Sequence, residues 1–197
     1  MHVWTTPEVL AMMLLAFLIN LTAYPASGGL LPYVAQRIYH VDATGLGFLV
    51  ASFSFGGLLA SLGMVFTGGP RHPERATLVC TAIWYVMVLG FGHVTSTGVG
   101  SLTLMVAGFV QNVAMIAMTA TLLAAAGERF RGRVMGVRTL AVYGLPLGLM
   151  ASGFLIERIG YPLTISLSAT LGLLFTFLIG LRWRANIWTR RAQPAPA

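Results

Sequence analysis

The stretch "GERFRGRVMGVRTLAVYGLPLGLMASGFLIERIG", residues 127–160, gathers Arg129, Arg131, Arg133 and Arg138 into ten positions and then carries no charge until Glu157. A basic block beside an apolar run of this length reads as the flank of a membrane span. Roughly 20 apolar residues cross the hydrocarbon, while arginines gather at its edge. Within the run, Gly144, Gly148 and Ser152 recur every four residues and so share one helix face, with Pro146 between them. Lipid offers no hydrophobic drive between helices, so small residues that let two backbones approach closely are what hold such helices together. Those three residues are expected to form a packing face.

The rest of the chain repeats the same grammar. Of its 197 residues, 57% are apolar and 9% charged, and its mean hydropathy is +0.82. A soluble domain carries about 25% charged residues. The charge of +7 comes from twelve arginines and no lysine. These sit in short clusters between apolar runs rather than on a basic, aromatic-interleaved face, which argues against nucleic acid as a partner and for the lipid bilayer. The one cysteine, Cys80, excludes an intrachain disulfide and a cysteine-built metal site.

Six apolar runs are expected to form an all-α membrane protein with transmembrane helices over residues 8–38, 45–66, 76–92, 102–126, 136–156 and 163–181. The bundle would occupy residues 1–181, and residues 182–197 a basic cytoplasmic tail. The first run is interrupted by "PASGG", residues 25–29, where Pro25 removes a backbone donor. One kinked helix fits better than two. A cleaved signal peptide is the competing reading, but the first eight residues carry no Lys or Arg and do carry Glu8. The second run places Ser52, Gly56, Ala60 and Gly63 at packing intervals.

An even number of spans puts both termini on one side, together with the second and fourth loops. That side holds ten arginines; the other holds only Arg37 and Arg158. The asymmetry makes the arginine-rich side cytoplasmic and the chain an inner-membrane protein. A faint internal repeat runs through the six helices. Helices one and four are the more polar at mid-depth, two and five the glycine-rich, three and six plain, as a three-plus-three unit would be.

With the upstream runs "LPYVAQRIYHVDATGLGFLVASFSFGGLLASL" and "TLVCTAIWYVMVLGFG", the stretch beginning "ERFRGRVMG" and ending "IERIG" resembles the C-terminal half of major facilitator superfamily transporters. The branch it is similar to includes enterobactin exporters and macrolide efflux pumps. The likeness covers nearly the whole chain. It implies one six-helix half of a twelve-helix fold, moving a small-molecule substrate by alternating access and in the direction of export. It also implies a second six-helix half as partner, either an N-terminal half or a second copy. The family's loop between helices two and three is represented by "GGPRHPER", which keeps Gly69, Arg71 and Arg75 but places Glu74 late. Gly132 is expected to let the chain turn sharply while Arg131 and Arg133 keep their guanidiniums free; these arginines either set topology and meet anionic headgroups or, as the likeness implies, belong with Arg71 and Arg75 to a cytoplasmic gate.

The family's cavity is formed mainly by helices one and four of each half. Carried onto this sequence, that implies a path near Asn20 and Tyr24, four apart on one face, and near Asn112, which shares a face with Met115 and Thr119. Gln111 and Tyr143, with Tyr33, Phe48 and Phe55, rank behind them. Polar groups inside a bilayer usually face the bundle interior, where interhelical hydrogen bonding is their plainer use. The acids Glu8, Asp42, Glu74, Glu128 and Glu157 lie at helix ends or in loops, so none is a midplane proton carrier. His2, His40, His72 and His93 are scattered over separate loops, and no nucleophile has a partner. No catalytic residue, metal or cofactor is expected. A non-transporting scaffold or remnant of a transporter is the alternative: it would keep the packing glycines and lose the cavity amides.

Overall fold

The computed structural model describes residues 7–183, apart from the side chains at 8 and 127–131. It is all-helical, with six spans long and apolar enough to cross a membrane. We label the helices α1 (Pro7–Thr22), α2 (Ala43–Thr67), α3 (Pro73–Phe91), α4 (Thr97–Leu140), α5 (Gly144–Ile159) and α6 (Tyr161–Arg182). The chain is an all-α integral membrane protein. Large apolar side chains cover its outside, among them Phe48, Phe66, Met150 and Phe177, as a lipid surrounding permits.

The core sits along α1, which packs against α4, α5 and α6 and buries Met12, Leu15 and Ile19 completely. The first span continues past α1 as far as Ile38. Its expected interruption is a π-helical turn at Pro25–Gly29, closed by the Leu30 amide donating to the Pro25 carbonyl at 2.8 Å. Proline lacks the donor that an α turn needs, and the wider turn keeps the remaining backbone groups paired inside the span. A second π turn at Val34–Ile38 follows one α turn at Leu31–Tyr33. The Asp42 carboxylate then accepts from the Gly45 amide at 2.9 Å and starts α2.

Glycine fixes the closest approaches. A Cβ at Gly56 would overlap the Met105 carbonyl, and one at Gly108 the Phe53 carbonyl, so α2 and α4 touch backbone to backbone. A Cβ at Gly148 would overlap the Leu21 carbonyl and meet Pro25 Cγ at 2.8 Å. Gly144, Gly148 and Ser152 are all buried, so the face read from the sequence is the one that α5 turns to α1. At the far end of the bundle, Tyr39 stacks edge-on to Phe91 at 6.3 Å. Burial pushes its phenol up to about 12, so it remains neutral there.

One expectation is corrected. "RFRGRVMG" was expected as a loop between two helices, yet helical backbone runs unbroken from Thr97 to Leu140. The axis is nevertheless not straight. Arg138 reaches the Met115 sulfur, 23 residues earlier, at 4.0 Å. A straight helix would separate them by about 35 Å. The helical chain therefore bends back on itself between Met115 and Arg138. Gly132 lies in that helical backbone, and a Cβ there would meet nothing within 4 Å. Sharp turning at Gly132 through loop geometry does not occur.

Replacing Gly108 by Val should push α2 off α4 and destabilise the bundle by about 1–3 kcal/mol, as overpacking does. Gly63→Ala, where a Cβ meets open space, should leave the melting temperature of the detergent-solubilised protein unchanged. Equal melting of both variants would refute the close contact.

Candidate functional site

The doubling back brings the chain after the turn against α1 and the middle of α4, and a cavity of about 420 Å³ lies between them. Ala16, Ile19, Asn20 and Tyr24 of α1 and its extension form one wall, and Met115 and Met118 of α4 a second. Met135, Arg138 and Thr139, with Val142 and Leu145 beyond, close the third. The lining is mostly thioether and aliphatic, with a few polar groups and one cation.

Each polar group is placed by its neighbours. The Asn20 amide donates back to the Ala16 carbonyl at 2.8 Å, so the side chain is fixed along its own helix. Tyr24 is held from two sides. Gln111 Nε2 donates to its hydroxyl, and its ring stands edge-on to the fully buried Trp84 of α3, with centroids 5.0 Å apart. Two residues earlier, the Thr22 and Tyr85 hydroxyls meet at 2.6 Å, which ties α1 to α3 just beside the cavity. A Cβ at Gly172 of α6 would overlap the Tyr85 ring, so that small residue is what admits the tyrosine.

Asn20, Tyr24 and Met115, picked out in the sequence, therefore come together, and Gln111 supports them from behind. Asn112 does not line this cavity. Its amide donates to the Gly57 carbonyl and to Ser61 Oγ at 2.9 Å, both on α2, so it serves the α2–α4 contact. Tyr143 is 69% exposed in a 3₁₀ turn between α4 and α5, outside the lining. Arg71 stands exposed in the turn between α2 and α3, and Arg75 is half-buried on the first turn of α3. Both Arg75 and Arg133 are engaged by neighbours. The Arg131 side chain lies outside the described residues, as do Trp188 and the arginines of the tail beyond Trp183. Among the described residues, no group of three His, Cys, Asp or Glu side chains stands together as metal ligands.

Arg138 is the site residue that sequence reasoning missed. It was counted with the orienting arginines of the loop. The available signal was its place inside the expected span 136–156, where a charge is costly and tends to serve a function. Its described contact is to Met115, and no described carboxylate pairs with it.

Comparison with protein-family models, curated proteins and solved structures finds no significant match for this chain.

The two asparagines, Asn112 of α4 and Asn20 of α1, predict different outcomes. Asn112→Ala removes two hydrogen bonds between helices and should cost about 1 kcal/mol, in the range measured for such bonds in membranes. Asn20→Ala removes a bond within one helix and should cost less than that. Thermal melting in detergent ranks the pair, and the reverse order would contradict these assignments.

Proposed function

We propose that this chain is one six-helix half, or a fragment, of a major-facilitator-type permease that exports a small organic molecule by alternating access. One observation carries the reading. The cavity is walled by α1 and the middle of α4, and closed by the end of α4, Val142 of the 3₁₀ turn and Leu145 of α5; helices one and four are the pair on which the resemblance places a transport path. Its lining of apolar and thioether groups with a few fixed polar groups suits an amphipathic organic molecule.

In this reading both termini and the arginine block face the cytoplasm of an inner membrane, because ten of the twelve arginines share that side. A second six-helix half completes the path. Rocking moves whole units past one another. The α1–α5 contact at Gly148 and the α2–α4 contact at Gly56 and Gly108 hold this half together as one such unit. Arg71, Arg131 and Arg133 help to close the cytoplasmic side.

Cells stripped of their main efflux pumps, expressing the chain with a six-helix N-terminal half, should survive higher doses of some members of a panel of toxic amphiphiles. Tyr24→Ala should abolish that protection at unchanged protein level. No protection across the panel, with either partner half or with the chain alone, would favour the scaffold reading. Orientation is tested separately in a Cys80→Ala background. In intact cells, Glu157→Cys should react with an impermeant maleimide and Arg71→Cys should not; the opposite pattern would invert the topology.

A further inference from the structure

The depth of Arg138 is the least expected feature of the molecule. Arginines near a span's end ordinarily extend their stems outward and keep the guanidinium at the interface. Arg138 does the reverse. It lies within the span Gly132–Ile159, and its guanidinium reaches Met115. Met115 lies well inside the apolar span Thr97–Ala126. The guanidinium borders two hollows, the 420 Å³ cavity and a shallower one beside Met115, Ile116, Thr119 and Leu123. In the larger it stands across from Asn20 and Tyr24.

A cation at this depth needs an anionic or strongly accepting partner. The described carboxylates are elsewhere: Asp42 caps α2, Glu74 faces His72, and Glu157 is exposed near the end of α5. The Tyr24 hydroxyl already accepts from Gln111. Asn20 Oδ1 takes no hydrogen bond from the described residues, and it remains as a second polar contact for a guest.

We propose that Arg138 makes this cavity a binding site for a small amphiphile bearing one anionic group, taken from solution or presented as a lipid headgroup. The anion pairs with the guanidinium, which offers several N–H donors in a fixed fork. The apolar body lies against Met115, Met118 and Met135, whose flexible thioethers adapt to irregular shapes. This inference rests on reading the cavity as the substrate site, and it adds the charge class.

Two dyes with the same ring system test it. 8-Anilinonaphthalene-1-sulfonate is anionic, and N-phenyl-1-naphthylamine is its neutral counterpart. Binding to the full chain in phosphatidylcholine nanodiscs is read by energy transfer from Trp84, with Trp4, Trp183 and Trp188 replaced by Phe. Arg138→Gln should weaken sulfonate binding about tenfold or more, the range for a hydrogen bond to a charged group. It should leave the neutral dye unchanged, and Arg138→Lys should keep most of the affinity. Unchanged sulfonate binding in Arg138→Gln, or equal loss of both dyes, would overturn the proposal. On the protein with Arg138 intact, decanoate should displace the sulfonate dye and decanol should not; equal displacement would also overturn it. Loss of dye binding in nanodiscs containing phosphatidylglycerol identifies the lipid headgroup as the source, and persistence identifies the soluble amphiphile. A chain that binds the sulfonate through Arg138 yet exports nothing removes the transport reading alone. A chain that exports but binds both dyes alike removes the charge assignment alone.

Discussion

Backbone contact at glycine is the constraint on which the rest of the bundle depends. In lipid, burying one leucine against another gains little, because the acyl chains are as apolar as the side chain. What remains is dispersion at close range and the few hydrogen bonds that helices exchange. Both require the axes to come near. Here they do so at Gly56 and Gly108 between α2 and α4, and at Gly144 and Gly148 between α5 and α1. The polar clamps follow from these contacts. Asn112 reaches the Gly57 carbonyl only because α2 lies against α4, and the Thr22–Tyr85 pair forms where Gly172 leaves room for the ring.

The fold was legible because hydrophobic solvation dictates it directly. Each span must be long, apolar and internally hydrogen-bonded, and those demands are written residue by residue. The packing face of α5 was legible for the same reason, since a glycine every four residues has few other uses. The turn between the fourth and fifth spans was not. Four arginines and a glycine look like an irregular loop. Yet helical backbone runs through this segment. Nothing in local composition separates the two.

The site was half legible for a related reason. Asn20 and Tyr24 announce themselves as polar residues in an apolar run, and their mutual spacing fixes a shared face. Asn112 announces itself equally well, but which neighbour it addresses depends on the rotation of α4 relative to α2, a tertiary quantity. Arg138 was hidden by its company. Three arginines stand just before it, and a fourth five residues past the last of them is read with them unless the direction of its side chain is known. That direction depends on the doubling back, which the sequence does not disclose.

Packing and site are joined at one residue pair. A Cβ on Gly144 would come to 3.0 Å from the Phe17 carbonyl and 3.4 Å from Asn20 Cβ. The glycine that seats α5 on α1 is thus also the residue behind Asn20 in the cavity wall. Any side chain there would move α5 outward, and with it Leu145 and the 3₁₀ turn that carries Val142, two residues of the lining. It would also draw the end of α4 away from Met115, loosening Arg138 from the depth at which it is held. The width of the cavity and the position of Arg138 in it are therefore tied to the same close approach that seats α5 on α1. A change at that contact acts on stability and on binding together, whereas a change at Arg138 alone can act on binding without disturbing the seat of α5.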